Sequence, residues 1–250
     1  MASTLIVDQL QKTGGSTTAL TLPTSNASAS QYLQNDGAGA LSWATVASSG
    51  FVKETFYTSS TSAGGYSPAS GVTKIIVEVL GAGGAGSRYS TDGPKVNGGG
   101  GGGYVRKTLT VVDTDTMTVT IGAAGTHTQN TNEAGGAGGS TSFASVTGTS
   151  FTTLTAGGGG GGSISNYTPG VAGTATGGDF NIIGDPGHTM NVGSSTGGYS
   201  VYGYGGSART NEAQSLHANG TGYGSGGGGG ADGGGAGNGA AGLCIITEFK

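Results

Sequence analysis

The first residues to test for chemistry are Gly81, Gly83 and Gly86, which have the spacing of a dinucleotide-binding loop and follow a strand-like stretch. Such a loop holds a pyrophosphate only where a helix begins at its end, because the first turn of the helix supplies free amides. Here Gly93-Pro94 follows closely, and proline prevents a helix of useful length. We therefore predict a structural glycine loop and no cofactor.

The groups that usually perform catalysis or bind metal do not form a recognisable pattern. The histidines lack the spacing of a zinc site, and Asp232 occurs without the repeat of a calcium-binding β-helix. Asp185 lies near His188, but no serine elbow occurs. Asp179 and Asp185 could in principle form a carboxylate pair for glycoside cleavage, but the rest of a catalytic constellation is missing. We predict that the chain is not an enzyme and holds no metal. The groups considered also include His127, His188, His217 and the single cysteine, Cys244, which is interpreted as a small buried hydrophobe.

Aromatic and polar side chains between glycine tracts are the remaining candidates, and they favour binding. Tyrosine offers rigid contact area, and small polar residues offer hydrogen bonds, as in antibody paratopes. The alternative is that these residues pack against or cap the glycine-rich region. The predicted receptor-binding residues are Tyr167, Phe180, His188, Tyr199, Tyr202, Tyr204 and Arg209.

The composition narrows the class of protein. Glycine accounts for 58 of 250 residues, and charged residues for only 9%. A net charge of -4 gives no basic surface for nucleic acid, and the longest apolar runs are the length of strands, so we predict no membrane insertion.

Short apolar runs predict an all-β fold, most simply a β-sandwich. Asp113-Thr-Asp115 between two runs predicts a hairpin, and the last run is expected to pair beside residues 73–80. The predicted strands cover residues 51–57, 73–80, 104–112, 116–121, 142–146, 151–155 and 243–249.

Glycine tracts separate these strands and fill most of residues 156–242. A structureless loop of that length is unusual in a compact domain. We expect polyproline-II-like (polyglycine-II) helices packed side by side, with the long polar segments as turns at their ends, because only glycine permits such close backbone contact.

Residues 1–50 are predicted to be an extended appendage with too few apolar residues to fold alone. A hairpin-like segment is expected from Gln31 to Trp43. Residues 1–50 would complete their core in an oligomer or against a partner. The predicted attachment or oligomerisation residues are Leu5, Val7, Leu20, Leu22 and Trp43.

Several stretches resemble, in order, the glycine-rich domain of bacteriophage tail fibres and the tip adhesins of T-even-like phages. They are VTKIIVEVLGAGGAG, GGGGGGYVRKTLTV, TVTIGAAG, LTAGGGGGG and AGLCIITEF, and ASASQYLQNDGAGALSW is similar to segments near the N-termini of virion appendage proteins. The resemblance implies a homotrimeric protein of the virion surface. Residues 1–50 would attach to other tail proteins, and residues 51–250 would bind a polysaccharide or outer-membrane protein of the host.

Two features depart from that family, and two alternatives to its function stay open. The attachment region differs from that of long-tail-fibre adhesins, and Leu80 occupies the position of the usual aromatic residue. The first alternative is a purely structural virion component, such as a head fibre or decoration protein. The second is a glycine-rich bacterial surface or silk-like matrix protein.

Overall fold

The structure is a computed structural model, and its chain divides into two units, Met1–Ser49 and Gly50–Lys250. It describes residues 9–10, 20–38, 40–45, 50–90, 96–128, 130, 132–165, 167–189, 195–207, 219–231 and 235–250.

The described part of the first unit contains four short strands in two antiparallel pairs. The hairpin predicted between Gln31 and Trp43 is confirmed, with Leu33 opposite Trp43 in its register. None of the described residues from 21 to 45 is buried. The strands are β1 (Gln9–Leu10), β2 (Leu20–Thr21), β3 (Gln31–Asn35) and β4 (Leu41–Thr45).

The described part of the second unit is built from strands and contains no helix, which confirms the all-β prediction. Accordingly, no described segment is a helix of the length and apolarity needed to cross a membrane. The strands are β5 (Phe51–Tyr57), β6 (Lys74–Leu80), β7 (Arg88–Tyr89), β8 (Tyr104–Thr110), β9 (Thr116–Thr120), β10 (Thr141–Thr147), β11 (Leu154–Ala156), β12 (Ala175–Thr176), β13 (Phe180–Ile182), β14 (Gly203–Tyr204), β15 (Thr221–Gly222), β16 (Gly230–Ala231) and β17 (Leu243–Phe249).

Two larger sheets form the framework of this unit. One has the order β13-β8-β6-β17-β5 and the other the order β12-β11-β10-β9, and neither closes on itself. The predicted position of the last strand beside the first long one is confirmed, because β17 pairs with β6 from Leu243↔Leu80 to Phe249↔Lys74.

Both sheets contribute to one apolar core. Val77 and Ile246 from the five-stranded sheet join Val119 and Phe143 from the four-stranded sheet in a single buried cluster. Alternation along each strand places these branched and aromatic residues on the inner face, where their burial drives association of the sheets.

The predicted hairpin across Asp113–Asp115 is wrong, because β8 and β9 belong to different sheets. The turn instead carries the chain from one sheet to the other, and the buried Asp115 carboxylate accepts hydrogen bonds from the Val112 amide at 3.0 Å and the Thr149 amide at 2.9 Å. Burial alone would raise the pKa of Asp115, but these hydrogen bonds outweigh it and hold the pKa below its ordinary value.

Glycine tracts extend from one end of these sheets and bond to one another through their backbones. In the central tract, Gly98–Gly103, residues three apart donate to the same neighbour. Gly99 and Gly102 donate to Gly227 and Gly224, at 2.9 and 2.7 Å. The other two donor pairs are Gly98 and Gly101, which donate to His188 and Asp185, and Gly100 and Gly103, which donate to Gly160 and Gly157. The buried amides of this tract are therefore satisfied by three surrounding segments in a repeat of three residues.

The tracts run away from the sheets and back again, so the region has a strand end and a far end. At the strand end, the Gly81 amide donates to the Gly103 carbonyl at 2.9 Å. At the far end, the Ser87 amide donates to the Asn97 carbonyl at 2.8 Å, and the Asn97 side-chain amide donates to the Ser163 carbonyl at 2.7 Å. The position of a segment along the tracts thus decides at which end its side chains are displayed.

Candidate functional site

Four of the predicted binding residues lie at the strand end. Phe180 is exposed in β13, at the edge of the five-stranded sheet opposite Arg106. Tyr199, Tyr202 and Tyr204 belong to one loop, which closes with the Ser200 amide donating to the Gly203 carbonyl at 3.0 Å. The rings of Tyr199 and Tyr204 meet edge to face, with centroids 6.1 Å apart and planes at 88°. We call residues 199–204 the tyrosine loop.

Tyr202 fixes the tyrosine loop to the outer face of the five-stranded sheet. Its ring packs edge to face on Tyr104, with centroids 6.0 Å apart, and its hydroxyl donates to the carboxylate of Glu78. Tyr104 belongs to a small buried cluster on this face that Tyr223 also covers. Tyr202 therefore packs on the sheet and positions Tyr199 and Tyr204, while 40% of its surface remains exposed.

Burial and a shared carboxylate both raise the pKa values of these two tyrosines. Burial, and then the neighbouring Glu78, raise the pKa of Tyr104 to about 12. Burial and the hydrogen bond to Glu78 likewise raise the pKa of Tyr202 above its ordinary value. The Arg106 guanidinium lies 3.7 Å from Glu78, so this carboxylate faces both a cation and a hydroxyl donor.

We expect the folded state to lose stability above pH 10 partly through Tyr104. Its pKa is higher in the folded than in the unfolded chain, so its contribution is complete below pH 10 and is lost as the pH rises towards 12. Over that interval the loss should approach about 1.4 kcal/mol per pH unit. Urea unfolding of the wild-type protein and Tyr104→Phe between pH 8 and 12 measures the difference, and parallel stability profiles would contradict the assignment.

Two predicted residues lie at the far end instead, so the structure does not bring the whole predicted set together. Tyr167 is 62% exposed and has a left-handed backbone with φ of 53°. His188 is exposed, and its carbonyl accepts the Gly98 amide at 3.1 Å. Both flank the contacts of Asn97, which also accepts a hydrogen bond from the hydroxyl of Thr189. Arg209 lies outside the described residues.

The predicted attachment residues are only partly described. Leu20 lies opposite Leu10 in the β1–β2 pair, and Leu22 is half-buried. Trp43 is half-buried, and its indole nitrogen donates to the Ser25 carbonyl at 2.6 Å, which connects β4 to the preceding turn region. Leu5 and Val7 lie outside the described residues.

The glycine loop 81–86 is part of a tract, and no helix follows it in the described residues up to 90. Its amides are occupied by backbone carbonyls; those of Gly84 and Gly86, for example, donate to Gly100 and Gly237, each at 2.9 Å. Amides used in this way have no capacity left for a phosphate.

The two candidate carboxylates, Asp179 and Asp185, have separate hydrogen-bond partners. Asp232 and His217 lie outside the described residues. Asp179 accepts hydrogen bonds from the Thr108 amide and the Lys107 ammonium, each at 3.0 Å, and these lower its pKa. In the part of the chain that the structure describes, no group of three or more histidine, cysteine or acidic side chains is placed to hold a metal ion.

Sequence reasoning missed the surroundings of Tyr199. Ile182, Ile183 and Asp185 line a shallow depression beside it. The short strand β13, which positions this segment, is only three residues long and is followed by Ile183 and then Gly184, so no alternation in the sequence distinguishes it from a turn.

The sheets and tracts together define a class, namely all-β proteins whose strands carry a scaffold of hydrogen-bonded glycine tracts. A sequence model of the family described as glycine-rich domain matches residues 58–248, and the chain belongs to this family. The curated proteins contain no match to the chain.

Proposed function

We propose that this chain is a receptor-binding protein of the virion surface, a phage tail fibre, that attaches the particle to a host cell through loops of its glycine-rich domain. The proposal rests on the resemblance of the strand and glycine-tract sequences to tail fibres. It rests equally on where the second unit holds its loops. Under this proposal the protein acts on the particle surface, is not an enzyme and needs no cofactor.

One geometric observation within the second unit carries the argument. Gly50 and Lys250 exchange backbone hydrogen bonds, each of 3.0 Å, at the end of the five-stranded sheet that is remote from the tracts. The turns at the far end of the tracts lie beyond a seven-residue strand and a six-residue tract, roughly 40 Å from this junction. Within the second unit, those turns therefore lie at the end opposite to Gly50 and Lys250.

We also propose that the tracts form a polyglycine-II bundle joined to a β-sandwich. The three-residue repeat of donors along Gly98–Gly103 supports this, because polyproline-II helices have three residues per turn and no internal hydrogen bonds. Such a bundle is held by main-chain bonds, so its turns can vary in sequence. That property suits a surface that must match a receptor.

The first unit is proposed to attach the protein to other tail proteins and to assemble it as a homotrimer. The absence of any buried residue among the described positions 21–45 supports this role, because an isolated segment without a core gains little stability from folding. Light scattering on the purified full chain should give three times the mass of the 23.8 kDa chain. A monomer would contradict the trimer.

Adsorption to cells is the decisive measurement. Labelled full-length protein should bind host cells saturably and block infection when added before phage. The double variant Tyr167→Ala/His188→Ala at the far end is expected to weaken binding about tenfold or more, since contact residues at interfaces contribute that much. The control is Val112→Ser, an exposed position in the turn between the sheets.

Three outcomes would contradict the proposal or the placement of its contact surface. Folded protein that binds no host cell would favour a structural virion component. Equal binding by the double variant and the control would place the contact surface elsewhere. Particles that lack the protein should be intact and unable to adsorb; unstable particles would again favour the structural role.

A further inference from the structure

The tyrosine loop stands between two open depressions near the sheet, away from the far-end turns. One, of about 330 Å³, is lined by Ile183, Asp185 and Tyr199 among others. The other, of about 430 Å³, lies along the loop from Tyr199 to Tyr204. Both volumes fall at the lower end of the range for small-molecule sites. Their shared wall is Tyr199–Val201, so one ligand could contact both sides of this wall.

The backbone of this region is fixed before any ligand arrives. The Asp185 amide donates to the Tyr199 carbonyl at 3.2 Å, and the Tyr223 amide donates to the Tyr202 carbonyl at the same distance. Tyr202 holds the centre of the loop on Glu78. A site formed this way loses little conformational entropy on binding, which is the main requirement for weak, specific recognition of a small group.

Two aromatic rings remain open on this fixed backbone. Tyr204 is 74% exposed and Tyr199 is 49% exposed. Neither phenol hydroxyl has a hydrogen-bond partner among the described residues, so both are free to donate and accept. An aromatic face flanked by free hydroxyls matches a pyranose ring, which has apolar C–H faces and a rim of hydroxyls.

The charge of the site selects among such ligands. Asp185 is the only charged side chain among the described residues that line either depression. One of its carboxylate oxygens accepts the Tyr199 amide at a long 3.4 Å, and the other has no partner in the described structure. A carboxylate accepts hydrogen bonds from sugar hydroxyls and repels acidic groups, so it favours neutral over acidic sugars.

We propose that Tyr199, Tyr204 and Asp185 form a lateral binding site for a neutral pyranose unit of a surface glycan. The ring of the sugar stacks on a tyrosine face, and a pair of its hydroxyls donates to Asp185. The biological setting, a cell surface, rests on the function proposed above, but the binding chemistry does not depend on it. The site is distinct from the far-end surface that carries Tyr167 and His188.

Saturation-transfer NMR on the full-length protein tests the site. The probes are the methyl β-glycosides of glucose, galactose and N-acetylglucosamine, together with methyl β-glucuronide, which differs from the glucoside by a carboxylate at C6. At least one neutral glycoside should receive saturation. If the protein binds the glucoside, the glucuronide should bind at least tenfold more weakly. If the protein prefers another neutral sugar, the glucuronide should not bind at all.

Variants locate the binding. Tyr199→Ala and Asp185→Asn should each weaken the affinity for the neutral glycoside at least tenfold, whereas Val112→Ser, in the exposed turn between the sheets, should not change it. Unchanged thermal unfolding shows that each variant is folded. No transfer from any neutral probe, measurable and equal binding of glucoside and glucuronide, or unchanged affinity in both site variants would overturn the proposal.

Cell binding separates this inference from the proposed function. Cells are treated with periodate, which oxidises their glycans, or with protease. Binding that survives periodate and is lost after protease would indicate a protein receptor. That result would overturn the glycan site and leave the receptor-binding function intact. If the protein binds sugar but adsorbs to no host cell, the sugar site stands and the receptor-binding function is contradicted.

Discussion

We expect Gly102→Ala to prevent the protein from reaching its native state. An alanine Cβ at this position would lie 2.0 Å from the carbonyl oxygen of Gly81 and 2.3 Å from its carbon. Gly81 cannot move away, because it continues directly from β6 and its amide is bonded to Gly103 at 2.9 Å. The clash is therefore between two fixed backbones. The cost should exceed about 4 kcal/mol, which is a large part of the 5–15 kcal/mol that stabilises a typical domain.

Expression and near-ultraviolet circular dichroism of the variant measure this loss. Gly226→Ala is a second instance, with its Cβ placed 2.0 Å from the Gly99 carbonyl oxygen. The matched control is Gly50→Ala, which has the same chemical change and no atom within 4 Å of the added carbon. A folded Gly102→Ala protein with control-like stability would mean that the tracts are not packed as closely as described.

Glu248→Ala should have the second-largest effect, a loss of roughly 2–5 kcal/mol. Glu248 is fully buried in β17 and accepts hydrogen bonds from the Tyr66 hydroxyl at 3.1 Å and the Ala69 amide at 3.2 Å. Lys53 lies 3.3 Å from the same carboxylate, but its side chain is half exposed and can be rehydrated. Without Glu248, the buried Tyr66 hydroxyl in particular has no partner, and that desolvation accounts for much of the loss.

Urea unfolding at pH 7 provides the measurement. Tyr66→Phe removes one donor but leaves the carboxylate with Lys53 and Ala69, so it should cost only about 1–2 kcal/mol. Glu54→Ala, at an exposed carboxylate bonded to the Thr247 hydroxyl at 3.2 Å, is the control and should change stability by less than about 1 kcal/mol. Equal losses for Glu248→Ala and Glu54→Ala would show that the buried carboxylate does not anchor the segment around Tyr66.

Much of the sheet framework was accessible from sequence, because its strands alternate between a buried and an exposed face. Phe51–Tyr57 and Leu243–Phe249 are strands with the predicted bounds. The error at Asp113–Asp115 has a physical origin. A hairpin and a crossing between sheets both need two strands joined by turn residues. Strand pairing in the folded protein distinguishes them, because β8 and β9 pair with different partners in different sheets.

The candidate site was harder to predict, because the direction of each tract decides which of the predicted residues lie at the same end. Consecutive tracts leave and approach the sheets alternately, so the turns between them face opposite ends. Counting tracts from Gly81 would have separated Tyr167, at the far end, from Tyr199, at the strand end. Which tracts are neighbours was not predictable, since main-chain hydrogen bonds between glycines leave no trace in side-chain identity.

Because the donors of the central tract repeat every three residues, the number of residues in a tract determines which neighbouring tract each later amide faces. Under the proposed polyglycine-II geometry, each residue of a tract rotates the backbone by about 120°, so successive amides point to successive surrounding tracts. Inserting three glycines would lengthen a tract by one turn and leave every later amide pointing to the same neighbouring tract as before. Inserting one or two would redirect all later amides to different tracts. Length changes in the turns carry no such penalty, and we expect natural variation in this architecture to be free in the turns and to occur in steps of three in the tracts.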